Sequence, residues 1–179
     1  MDLDEVKYWV GFSLIPGIGR AKFYLLQNHF GNLGRAWHAS AAELRSAGLD
    51  SKSADTIIAR RPRMSLDAEL DKLEKYNVKV ITADNAGYPR RLKEIYDYPP
   101  VLYVRGTLIP EDEWAIAVVG TRRASIYGRQ VTEEIVANLA RHKITIISGL
   151  AKGVDAIAHR TSLEAGGRTI AVAGCGLDM

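Results

Sequence analysis

The stretch Ala115-Ile-Ala-Val-Val-Gly-Thr-Arg-Arg-Ala-Ser-Ile-Tyr-Gly128 limits what this chain can become more than any other. Ala115 to Val119 is an unbroken apolar run, which reads as a buried parallel strand. Gly120 breaks it. Thr121, Arg122 and Ser125 then put two hydroxyls and a guanidinium into one short loop. The spacing predicts a helix over 127–141, with Val131, Ile135, Val136 and Leu139 on its apolar face. A strand that turns through glycine into a helix leaves free backbone N–H groups at the helix start, where the helix dipole favours an anion. Arg122 adds a planar fork suited to two phosphate oxygens.

The arrangement recurs. Ile144–Ile147 is a second apolar run, followed by Ser148-Gly-Leu-Ala-Lys-Gly-Val-Asp155 and a helix through Ala156–His159. Thr169–Ala173 is a third, ending in Gly174-Cys-Gly-Leu-Asp178. Three strands separated by helix-length segments give the rhythm of a doubly wound parallel sheet. The carboxyl ends of its strands share one edge, so the three glycine loops are expected to converge. Such a sheet usually has five or six strands. The chain is therefore expected to hold the first half of a Rossmann-like α/β sheet and to be a piece of a longer protein.

No apolar run approaches the roughly 20 residues of a membrane helix, and the N-terminus, Met1-Asp-Leu-Asp-Glu5, is acidic rather than signal-like. One cysteine, Cys175, excludes an internal disulfide. A cytoplasmic setting is the expectation. The net charge of +3 is uneven: residues 115–179 carry 8 Lys/Arg against 5 Asp/Glu, whereas residues 1–114 balance. The excess lies with the phosphate-type loops, a mild pointer to a polyanion.

Residues 4–47 read as helical. Val6, Trp9, Val10 and Leu14 mark a first helix, and Phe23, Leu26 and Phe30 a second. Between them Leu14-Ile-Pro-Gly-Ile-Gly19 has the form of a helix-hairpin-helix turn, whose N–H groups can face a phosphate. Lys22 lies just beyond. Few basic residues surround this turn, and packing alone would also account for it. Ser40-Ala-Ala-Glu43 is a capping box, and another helix spans 53–60. Arg60-Arg-Pro-Arg63 is taken as a linker, dividing a helical domain, 1–63, from an α/β domain, 64–179.

In the second part, Leu66, Leu70 and Leu73 mark a helix. Strands at 78–81 and 101–104 are expected to extend the sheet. Tyr88, Tyr96, Tyr98 and Tyr103 cluster here. They suit base stacking, although core or edge packing is the expectation.

Taken in order, these motifs resemble the DprA family, also called Smf, the DNA-processing proteins of bacterial natural transformation. The marks are Pro16-Gly-Ile-Gly19; Tyr88-Pro89 with Leu92; Pro100-Val-Leu-Tyr-Val-Arg-Gly106; Val118-Val-Gly-Thr-Arg122 with Ser125-Ile-Tyr-Gly128; Ser148–Asp155 with Ala158-His159; and Thr169–Gly174 with Gly176-Leu-Asp178. The resemblance implies a sterile-alpha-motif-like helical domain followed by an extended Rossmann domain. It implies binding and protection of single-stranded DNA, delivery to a RecA-type recombinase, and no catalysis. It places a Gly-Ser/Thr-Arg phosphate motif on Gly120, Thr121 and Arg122, with Lys152 and Gly153 lining the same pocket. Ser125 and Gly149 complete the expected phosphate site. A homodimer is implied for the full-length protein, built largely on Rossmann segments beyond residue 179.

An enzyme is the rival class, because related folds hydrolyse nucleoside monophosphates at the glycosidic bond. A glycine loop alone does not separate the two. Asp155 and His159 stand four apart on one helix, which suits a helix-stabilising pair as well as acid–base work. Cys175 reads as a small core-lining residue. Tyr127, at the mouth of the first loop, is expected to pack under the helix start, with base stacking as the alternative. His29, His38, His142 and His159 lack metal-ligand spacing. Gly120 to Gly128 does not spell a dinucleotide fingerprint. No metal and no cofactor are expected.

Overall fold

A computed structural model describes residues 3–178, with side chains from Glu5 onward. The chain gathers into two compact units, Met1–Thr107 and Leu108–Met179.

The first unit begins with five helices: α1 (Leu3–Ser13), α2 (Arg20–Phe30), α3 (Leu33–His38), α4 (Ala41–Ser46) and α5 (Ser51–Arg60). Their starts are written locally. Asn32 accepts the Arg35 N–H at 2.8 Å and so caps α3. Ser40 and Glu43 form the expected reciprocal box at α4. Asp50 accepts the Ser53 N–H at 2.9 Å and the Ser53 hydroxyl at 2.7 Å. These two bonds, then Lys22, hold the Asp50 carboxyl down at about 2. Trp9, Phe12, Phe23, Leu26, Leu33, Trp37, Leu44 and Ile57 fill the core between the helices. Gly11 permits the close passage of α1, since a Cβ there would come within 2.7 Å of both Trp37 and Leu66. Leu14, expected on the inner face, is 44% exposed in the turn after α1.

The run Arg60–Arg63 is not a free linker. It continues α5 as a 3₁₀ turn, and Arg61 Nη1 donates to the Trp37 and Ala39 carbonyls at 2.5 and 2.7 Å. Helix α6 (Leu66–Lys75) and strands β1 (Val78–Thr82) and β2 (Val101–Arg105) follow. The strands pair with each other, antiparallel, Val80 opposite Tyr103. They form their own two-stranded sheet instead of extending the parallel one. Ala83, Tyr88 and Val101 belong to the same apolar cluster as Trp9 and Leu26. Segment 64–107 therefore shares its core with the helices of 1–63, and the compact unit ends at Thr107.

The second unit is β3 (Ala115–Ala117), α7 (Ile126–Arg141), β4 (Thr145–Ser148), α8 (Val154–Glu164) and β5 (Thr169–Ala171). The sheet is parallel, with strands in chain order and Ile116 opposite Ile146 and Ile146 opposite Thr169. Val136 of α7, Ile146 of β4 and Ala158 of α8 form one buried cluster, and the two helices pack on each other over the same sheet face. Ile135, read as inward, is 53% exposed. At the amino edge of the sheet, Asp112 receives Arg168 Nε and Nη2 at 2.6 and 2.9 Å, the Thr145 hydroxyl at 3.1 Å and the Ile109 N–H at 2.9 Å. Burial pushes the Asp112 carboxyl up, but these donors outweigh it and hold it below its usual range. Among the described residues no helix is long and apolar enough to cross a membrane.

Two outcomes test this packing. Leu26→Ala, at a fully buried position, lowers unfolding free energy by about 2–5 kcal/mol in urea titration. Asp50 has a depressed folded value. Its stabilising share is therefore complete above the unfolded value of 3.8 and is lost as pH falls from there through about 2. Asp50→Asn keeps the cap but flattens stability across that acid window, measured by urea midpoints against pH.

Candidate phosphate-binding loops

The carboxyl edge of the parallel sheet is knitted beyond the strands themselves. Val118 N–H donates to the Ile147 carbonyl at 2.9 Å, and the Ser148 hydroxyl donates to the Val118 carbonyl at 2.6 Å. Val172 N–H donates to the Ser148 carbonyl at 2.8 Å. The strands nevertheless end at Ala117 and Ala171, two residues earlier than the apolar runs suggest. Val119 and Val172 are 74% and 63% exposed.

Two loops rise from this edge and touch. A Cβ on Gly120 would lie 2.7 Å from Val154 Cγ2. A Cβ on Gly153 would overlap the Thr121 carbonyl oxygen and sit 2.7 Å from Arg122 Cα. Gly153 also has φ +88°, where a side chain is strained. Val154 N–H donates to the Thr121 carbonyl at 3.2 Å. The loop after β3 and the loop after β4 thus share one backbone seam. The third glycine loop is not drawn in: Gly174 has nothing within 4 Å of its Cβ position, and Cys175, expected to line the core, is exposed.

Around the seam, Gly120, Thr121, Arg122, Ser125, Gly149 and Lys152 are exposed and Gly153 is half-buried. Ser125 caps α7 by accepting the Gly128 N–H at 3.1 Å, and Thr121 Oγ1 accepts the Arg123 N–H at 3.1 Å. Neither hydroxyl donates to an acceptor among the described residues, so both remain available as donors. Among the described residues, neither Arg122 nor Lys152 has a hydrogen bond or a carboxylate partner. The first-loop cation is therefore not drawn inward by an acid.

Behind the loops sits a polar cluster that local sequence did not resolve. Asp155 is buried and accepts the Ala151 N–H at 3.4 Å, with its Oδ2 3.0 Å from the Cβ position of Gly149. His159 is buried too, its Nδ1 2.6 Å from Thr169 Oγ1. The Thr169 hydroxyl donates to the Ile146 carbonyl at 2.8 Å, so the network assigns the proton to His159 Nδ1. Nε2 is left without a hydrogen-bond partner. Burial pushes the imidazole below its usual value, although the Asp155 charge pulls it up. Of the two residues read as a helix brace or an acid–base pair, Asp155 supports the second loop and His159 ties α8 to β5.

Two residues stand out that the pattern alone misplaced or missed. Tyr127, expected under the helix start, is 76% exposed beside an equally open Ile126. Leu150 holds φ +59° and is 61% exposed. A branched side chain in that backbone region is uncommon and tends to mark turns with a task. Only its place between Gly149 and Gly153 hinted at this. Among the described residues, no three His, Cys, Asp or Glu side chains gather as a metal site.

Sheet, crossover helices and paired loops define a Rossmann-like α/β protein with a helical N-terminal region. The comparisons with known proteins narrow this further. A family profile described as DNA recombination-mediator protein A matches residues 79–179, and the chain belongs to that family. Protein Smf of Synechocystis is 37% identical across 98% of this chain, and Protein Smf of Escherichia coli 38% identical across 79%. These matches cover 45% and 37% of the two relatives, so the chain spans about half their length or less. The X-ray structure of DNA processing protein A (DprA) from Streptococcus pneumoniae superposes with a TM-score of 0.75 and 28% identity, covering 97% of this chain and 59% of that one.

The seam makes a stability prediction. Gly153→Ala forces a strained φ and a clash with the Thr121–Arg122 backbone. It should cost at least about 1–3 kcal/mol, read as a lower urea midpoint. Gly174→Ala, with open space around it, should leave the midpoint almost unchanged.

Proposed function

We propose that this chain binds single-stranded DNA through the loops that follow β3 and β4. The observation that carries the reading is the shared seam, which presents two unpaired cations, Arg122 and Lys152, above exposed glycine backbone. Arg122 forks onto one phosphate and Lys152 acts as a point charge for the same or the next one. The backbone N–H groups of Gly120, Thr121, Gly149 and Gly153, with the Thr121 and Ser125 hydroxyls, add neutral donors. Membership in a family described as DNA recombination-mediators supports a DNA ligand. So does the likeness to a DNA processing protein.

In the longer protein, this contact shields incoming DNA from nucleases in the cytoplasm. It then hands that DNA to a RecA-type recombinase, and the full-length protein acts as a homodimer without catalysing a reaction. The phosphate-handling residues all lie within the α/β domain, 64–179, which follows the helical domain, 1–63.

Oligothymidine titrations at several salt concentrations test this. Each phosphate neutralised on a single strand adds about 0.7 to the slope of log affinity on log salt. Arg122→Ala should lower the slope by about that amount and weaken binding for all sequences alike, as should Lys152→Ala. An unchanged slope in both variants removes the loops from the DNA contact. Incubation with AMP should release no adenine; release would favour glycosidic hydrolysis at the same loops.

A further inference from the structure

Within the unit Met1–Thr107, rings and cations line up from the segment before β2 to the first turn of α2. Lys93 Nζ lies 5.6 Å from the centre of the Tyr88 ring. Tyr88 meets Tyr98 edge to face at 6.1 Å. The Arg20 guanidinium then lies 4.7 Å from the Tyr98 ring and 5.9 Å from the Tyr96 ring. The inner part of this row is explained by packing. Tyr88 is buried, its hydroxyl donates to the Pro99 carbonyl at 2.7 Å, and burial pushes that hydroxyl up to about 12.

Packing does not explain the outer part. Tyr96 is 91% exposed, and Tyr24, one helical turn beyond Arg20, is 65% exposed. Neither ring recovers the burial energy that an aromatic side chain offers. Nor is Tyr96 on a loose tether: Arg20 Nη1 donates to its carbonyl oxygen at 2.8 Å. Arg20, Ala21, Tyr24 and Leu25 line a shallow hollow of about 370 Å³, a size that admits a small planar group. Lys22 plays no part in this surface, because its ammonium is bound to the Gly17 carbonyl and Ser53 and faces Asp50.

We propose that Tyr96, whose ring the Arg20 guanidinium approaches, and Tyr24, which shares the hollow with Arg20, form a second contact for unpaired nucleic acid. Bases stack on the two open rings, and the guanidinium faces the sugar-phosphate chain between them. This inference rests on the reading of the chain as a single-stranded DNA binder and adds a base-contacting surface to the phosphate-contacting loops. The chemistry selects the occupant. Every base offers a π face irrespective of sequence, and a cation set among rings attracts both that face and a phosphate. A duplex hides its base faces and cannot use the platform.

The test compares fluorescent oligothymidine with an abasic sugar-phosphate oligomer of equal length, on the whole chain. Tyr96→Ala, with Tyr24→Ala added, should weaken oligothymidine binding roughly 5- to 150-fold. It should leave abasic binding and the salt slope almost unchanged. Tyr96→Phe should restore affinity, because the ring and not the hydroxyl carries the contact. Photo-crosslinking with iodouracil in the oligonucleotide should label the peptides that hold Tyr96 or Tyr24. Parent-like oligothymidine affinity in the double alanine variant overturns the inference, and leaves the platform to a protein partner. If Arg122→Ala still weakens both oligomers in that case, the loop reading stands without this one. Loss in the tyrosine variants with none in Arg122→Ala keeps the platform and removes the loops.

Discussion

A methyl group's worth of missing space decides the geometry of the candidate site. Gly153 lies so close to the Thr121 carbonyl and the Arg122 backbone that any side chain there would force that backbone to shift. Gly120 makes the reciprocal allowance for Val154. Each loop is held by the other, and the Val154 N–H bond to Thr121 closes the seam. Arg122 and Lys152 belong to different crossovers of the sheet, yet this contact puts them on one surface. A cation on a long flexible stem loses entropy on binding. A fixed root at least spares the backbone share of that cost.

The support below is polar. Ser148 serves three roles: its hydroxyl binds the Val118 carbonyl, its carbonyl binds Val172, and its side chain stays buried. Asp155 fills the space under Gly149, so the second loop rests on a carboxylate rather than on a void. His159 ties α8 to β5 through Thr169. At the opposite edge Asp112 collects four donors from three parts of the unit. Both ends of a short, three-stranded sheet are thus closed by side chains, which compensates for strands of only three or four residues.

What sequence made legible follows from range. Helix starts were readable because caps act over three residues, as at Ser40–Glu43 and Ser125–Gly128. The parallel strands and the converging first two loops were readable because glycine breaks fall at the same phase of each unit. Strand ends were not. Val119 and Val172 look like strand, but both lie exposed beyond the last regular ladder pair. The place of β1 and β2 was also hidden, since pairing partners and a core shared with Trp9 and Leu26 are long-range facts. Arg61 reads as a loop charge until its carbonyl partners at Trp37 and Ala39 are seen. Among the tyrosines, composition could not tell the buried Tyr88 from the open Tyr96 eight residues later.

The order of the parallel strands has a consequence for how the unit comes into being. Spatial neighbours here are also neighbours along the chain: β3 meets β4, and β4 meets β5. Among the described strands each pairs with its neighbour in the chain, so the entropy lost in closing each loop stays modest. Such a unit can assemble in step with ribosomal synthesis, crossover by crossover. The Asp112–Arg168 clamp reaches across 56 positions, so among the joints of this unit described above it closes the longest loop and carries the largest closure cost.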